Sequence, residues 1–146
     1  MNLRGIFWKI YLILYAPFAV DAFFNIASKE SAPYIYYHTL GAFSKNLVFN
    51  YYLSAACGFV NLVCLLPIFM LAFNIRSTRP DIWKWLFTLR IALDVTGHAY
   101  EISVIRAMLN TDFWYGFQAI IASTVFLAPS YAACFQYAFP NKKIIK

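Results

Sequence analysis

Apolar residues run through this chain in four long stretches, about 5–27, 47–74, 82–107 and 113–138, separated by shorter segments that hold most of the polar side chains. A hydrocarbon core about 30 Å thick takes roughly 20 residues of helix, because every backbone N–H and C=O must be satisfied within the segment. Each stretch is long enough. The pattern therefore predicts an all-α fold, an integral membrane four-helix bundle forming a single transmembrane domain over 1–146. Pro17, Gly58, Pro67, Gly97 and Pro129 fall inside the spans, where they are tolerable as kinks or points of close packing. The first connection, about 28–46, is the only long one. Its run from Pro33 to His38 is too aromatic for a freely solvated loop, so it is expected on the outer surface as a short interfacial helix or a cap. The remaining connections are short, which makes spans two, three and four antiparallel neighbours.

Composition strengthens this picture. The chain is 62% hydrophobic and 12% charged, against about a quarter charged in soluble domains. Aromatics make up 21%, and Trp and Tyr favour the lipid–water boundary, where the ring is buried and the polar tip stays wet. Val20-Asp21-Ala22 resembles a signal-peptidase site after a basic start at Arg4 and Lys9; an uncleaved first span is the expectation, since the chain begins at Met1. The three cysteines, Cys57, Cys64 and Cys134, lie inside apolar stretches with no Cys-x-x-Cys spacing. Neither a zinc site nor a redox pair is indicated, and they read as small packing residues.

A net charge of +6 does not point to nucleic acid, because the basic residues sit at span ends and form no readable basic face. They set topology instead, since basic residues are retained on the cytoplasmic side. With the N-terminus inside, that side collects Arg4, Lys9, Arg76, Arg79, Lys84, Lys142, Lys143 and Lys146. The other surface holds Lys29, Lys45 and Arg106. Both termini are therefore expected on the cytoplasmic side, with Trp8, Trp83, Trp85 and Tyr137 at the inner interface and Tyr51, Tyr52 and Trp114 at the outer one.

The third span carries Arg90, Asp94, His98 and Glu101. At 100° per residue they fall within about 80° of one another, on one helix face. Ionisable groups cost several kcal/mol each in a membrane span, so the stripe is expected to face the bundle interior or a watery cavity. One reading is a ladder that neutralises itself, since successive members are three or four residues apart. Its formal charges do not close: with His98 neutral there is one negative charge in excess. Matching depths at about 1.5 Å per residue puts Asp21, Glu101, Arg106 and Gln118 in the outer half and Arg90 and Ser130 in the inner half, with Asn50 and Asn61 further polar groups on span two. A structural Asp21–Arg106 ion pair or a functional Asp21–Glu101 carboxylate pair is expected, because two adjacent carboxylates need a cation or a shared proton.

Three functions compete on these residues. Small size, tiny loops and the absence of a soluble domain favour an accessory or structural subunit of a larger membrane complex, whose partners are the lipid bilayer and other membrane subunits or further copies of the chain. The alternative is a ligand-binding or proton-relaying pocket around Asp94, His98 and Glu101, with Asp21, Arg90 and Gln118 as companions. With an acid in an early span and Pro129 in the last, the layout is also similar to that of four-helix proteins of the sterol-isomerase and sigma-2-receptor type. That resemblance implies an isomerase using intramembrane acids to steady a carbocation, and no site residue is carried over from it. A haem shared by His38 and His98 is disfavoured by their different depths. Asp94, His98 and Glu101 are suitable metal-ligand types, but a common helix face explains their spacing without a metal, so no metal site is assigned and the cofactor is open.

Overall fold

The structure, a computed structural model, describes residues 3–25 and 51–140. The connection expected over 28–46, with His38, and the basic residues Lys142, Lys143 and Lys146 lie outside the described residues. Within them every regular element is a helix: α1 Leu3–Phe24, α2 Tyr51–Val63, α3 Leu65–Ala72, α4 Pro80–Thr111 and α5 Phe113–Ala138. Among the described residues, three helical lengths are long and apolar enough to cross a membrane, Leu3–Phe24, Tyr52–Ala72 and Gly116–Ala138. α4 is longer than any of them at 32 residues, but Asp81, Lys84, Arg90, Asp94, Glu101 and Arg106 set it apart in composition.

The span expected over 47–74 is divided at Cys64, three residues before Pro67. A proline has no N–H to give the carbonyl four residues earlier, here Val63, and its ring crowds that oxygen. The interruption is slight, because Cys64 keeps helical dihedrals and its N–H still bonds Val60 O at 2.9 Å. Pro17 and Pro129, by contrast, lie within unbroken helices.

α3 ends by a recognisable local device. Asn74 takes a positive φ of 55°, its N–H reaches Leu71 O, and the N–H of Ile75 reaches Met70 O at 2.8 Å. These are the paired bonds of a Schellman ending, with asparagine in the left-handed position that glycine usually fills. Pro80 then opens α4 at the first helical position, where a missing N–H costs nothing, and Asp81 in the first turn complements the helix dipole. Tyr137 donates to Ile75 O at 2.6 Å and Trp83 Nε1–H donates to Ser77 Oγ at 2.6 Å. Both bonds tie the short connection to the ends of α4 and α5.

Ring contacts give the directions. Trp83 stacks near Tyr137, Phe87 near Phe135, and Arg90 over Tyr131, so α4 and α5 are antiparallel. α1 runs antiparallel to α2 and α3, from Lys9 over Phe73 to Tyr15 against Asn61 and Ala22 against Gly58. That last approach is backbone to backbone: a Cβ on Gly58 would stand 2.5 Å from Ala22 O. Small residues permit such contact between helices. Gly97, read as a kink or packing point, lies in an uninterrupted helix with nothing within 4 Å of its would-be Cβ.

The core has two parts. Trp8, Tyr11, Tyr15, Ala19, Ile68, Ala72 and Ala133 make one, and Val60, Cys64, Trp83, Leu86, Cys134 and Ala138 the other. Trp8 and Trp83 stand near helix ends as expected, yet they turn into these clusters, whereas Trp85, Tyr52 and Trp114 remain exposed. On α1 the buried residues recur at steps of three and four, while Phe7, Ile10, Ile13, Leu14 and Val20 on the other faces are uncovered by protein. A helix apolar all round is suited to lipid or to a deep core. With so much large aliphatic surface outside, the chain has the build of a membrane protein.

Candidate functional site

Arg90 sits at the centre of the polar interior. It is 2% exposed, placed by the third turn of α4 against α5, and its guanidinium lies 4.0 Å from the centroid of the Tyr131 ring. Cation–π contact of this kind gains strength when desolvated. Arg90 Nε is 3.9 Å from Asp94 Oδ2, a separation that holds charge attraction but no hydrogen bond. Arg90 Nε and Nη1 and Asp94 Oδ2 are all buried atoms without a hydrogen-bond partner.

Around this guanidinium stand groups from α1, from α5 and from the α2–α3 break. Tyr15 of α1, fully buried, donates to Asn61 Oδ1 of α2 at 3.0 Å, and Tyr11 one turn earlier donates to Phe126 O of α5 at 2.8 Å. Ser130 returns its hydroxyl to Leu127 O, the habit of a lone hydroxyl in an apolar helix. Cys64 and Cys134 place their sulfurs 3.4 Å apart, and both thiols, with Tyr15, are within electrostatic reach of Arg90. The spacing of the cysteines along the chain gave no indication of a pair. The tertiary structure adds their proximity, because the break at Cys64 and the last turns of α5 bring them together as free thiols. Depth matching, applied to cysteines as well as charges, would have put both in the inner half with Arg90.

The stripe itself divides. Asp94 is partly covered, its side chain 31% exposed, and His98 is exposed. His98 does not engage the Asp94 carboxylate: its Nδ1–H donates to the Asp94 main-chain carbonyl at 2.7 Å. Glu101 lies on α4, but its side chain is outside the described residues. Asp21 accepts a hydrogen bond from Asn25 Nδ2 at 2.9 Å. Arg106 is exposed, as is Gln118, and no ion pair joins Arg106 to Asp21 among the described residues. The reason is helix order: α1 lies along α2 and α3, while α4 lies along α5 and α2. Lys84 and Asp81 form an exposed pair at 3.4 Å, and Arg4 donates to Gln136 where the start of α1 meets the end of α5.

Compared with known protein families, with curated proteins and with solved structures, the chain matches none.

Proposed function

We propose that this chain is a multi-pass integral membrane protein of four spans, with α2 and α3 together forming the second and both termini on the cytoplasmic side. It serves as an accessory subunit of a larger membrane assembly. The observation that carries the reading is the course of the α4 stripe, which is covered at Arg90, 2% exposed, and exposed among the described residues at His98. Ionisable groups at membrane depth are rarely left against hydrocarbon. A neighbouring protein helix is the surrounding that suits His98, and Gly97 beside it, open to 4 Å, leaves room for close approach. The contact of Arg4 with Gln136 supports placing both ends of the chain on one side.

Native mass spectrometry after gentle detergent extraction tests this. The expected result is retention of the chain in a defined complex with other membrane subunits; a clean monomer under conditions that preserve known complexes would overturn it. A second reading, a ligand or proton pocket around Asp94, His98 and Glu101, draws on the unpartnered Asp94 Oδ2. It predicts that His98→Gln alters ligand binding or proton flux, and unchanged values would remove it.

A further inference from the structure

The two thiols have no part in the reading above. Cys64 stands at the break between α2 and α3 and Cys134 near the end of α5, both at 0% exposure, with sulfurs 3.4 Å apart. Arg90, within electrostatic reach of both sulfurs, keeps Nε and Nη1 buried without a hydrogen-bond partner. A neutral thiol is a weak acceptor and leaves those donors unsatisfied. Oxidation to a disulfide would not help, since a disulfide is uncharged and no better an acceptor. Thiolates would answer both needs, because an ionised acceptor makes the stronger hydrogen bond.

Two thiolates next to one guanidinium carry one negative charge too many, and a monovalent cation held between them removes it. The cation, two sulfurs and Arg90 then sum to zero, and Asp94, paired with Arg90 at longer range, adds one negative charge at the partly exposed rim. Asp94 stands at the rim, 3.9 Å from Nε and 31% exposed, and supplies neither a hydrogen bond nor a third ligand at the sulfurs. Zinc is poorly served here, since it takes four ligands and no cluster of three or more His, Cys, Asp or Glu side chains suited to a metal occurs among the described residues. Soft thiolate ligands suit copper(I), zinc and iron–sulfur clusters, and since zinc and the clusters take four ligands, two sulfurs leave copper(I).

We propose that Cys64 and Cys134 form a buried two-coordinate site for a soft monovalent cation of the copper(I) class, with Arg90 as the positioning residue that balances the charge of the complex. Binding exchanges two thiol protons, released to solvent, for two metal–sulfur bonds, and no electron is transferred.

The test uses the full chain in detergent, its thiols reduced and the reductant removed, titrated anaerobically with copper(I) against a chromophoric copper(I) chelator and repeated with redox-inert silver(I). Wild type is expected to retain one copper(I) per chain, with two sulfur neighbours and no nitrogen or oxygen by X-ray absorption. Cys57→Ser is expected to behave as wild type, and Cys64→Ser or Cys134→Ser to lose retention while keeping the helical circular dichroism. Arg90→Gln is expected to bind about 10- to 100-fold more weakly with the same sulfur neighbours. Failure of wild type to hold copper(I), equal retention by the Cys64→Ser and Cys134→Ser chains, or nitrogen and oxygen neighbours would each overturn the site. The absorption measurement on wild type decides the matter even if a serine variant fails to fold.

Discussion

The first and second halves of α4 carry the same ionisable stripe in different surroundings. From Pro80 to Asp94 the helix lies against Cys134 and Ala138 of α5 and Val60 and Cys64 near the α2–α3 break, and Trp83, Leu86 and Arg90 are all buried there. Beyond Asp94 the helix emerges: His98 on the stripe face is exposed, and so are Val95, Thr96, Ile102 and Arg106 on its other sides. Small neighbours explain the first half, because Ala, Ser and Cys let a large side chain such as arginine be enclosed between helices. In the second half Thr96 and His98 satisfy themselves locally, each donating to the carbonyl four residues back. One stripe thus has a buried end that organises the interior and an exposed end open to a neighbour.

Breaking the buried end should have the largest effect. Arg90→Ala empties the largest enclosed side-chain volume and removes the cation over Tyr131, and is expected to destabilise the chain by about 2–5 kcal/mol, the range for large-to-small changes in a core. Unfolding in mixed micelles measures it, and a loss below about 1 kcal/mol would show that Arg90 is solvated rather than enclosed. Next comes the α1–α2 contact. Gly58→Ala drives a methyl against the Ala22 carbonyl, a backbone atom that can yield only by moving a helix, and should cost about 1–3 kcal/mol. The same change at Gly97, which meets nothing within 4 Å, should not reproduce it.

The smallest effect is expected at the exposed end. His98→Ala loses a bond back to its own helix and should shift the stability of the isolated chain by less than about 0.5 kcal/mol, while reducing association with partner subunits in a pull-down from gently solubilised membranes. A large stability loss would place His98 in the interior after all. An unchanged association would remove the exposed end of α4 from the proposed contact.

Several elements are legible in the order of residues alone. The helical lengths Leu3–Phe24, Tyr52–Ala72 and Gly116–Ala138 are legible as apolar runs, because the length of an apolar run and its polar boundaries are local properties. Gly58 is readable as a point of close approach for the same reason, and Pro67 as a disturbance. The candidate site is legible at Arg90 and Asp94, whose four-residue spacing guarantees a shared face whatever the fold. It is not legible at Tyr15, Tyr131 or the Cys64–Cys134 pair, which come from different helices, whereas Asn61 stands out as a polar group of the second span.

The sequence by itself determined that this chain is helical and apolar enough for a membrane, and that four ionisable residues, Arg90, Asp94, His98 and Glu101, lie along one line of one helix. Tertiary structure decided which end of that line is enclosed, through the order in which helices pair and the size of the side chains they bring. α1 lies along α2 and α3 rather than α4, so Arg106 and Asp21 do not meet. The break at Cys64 and the antiparallel course of α5 put two sulfurs, 70 residues apart in sequence, 3.4 Å from each other beside Arg90. Helical periodicity fixes angles around one axis, and distances between axes depend on contacts that no single segment contains.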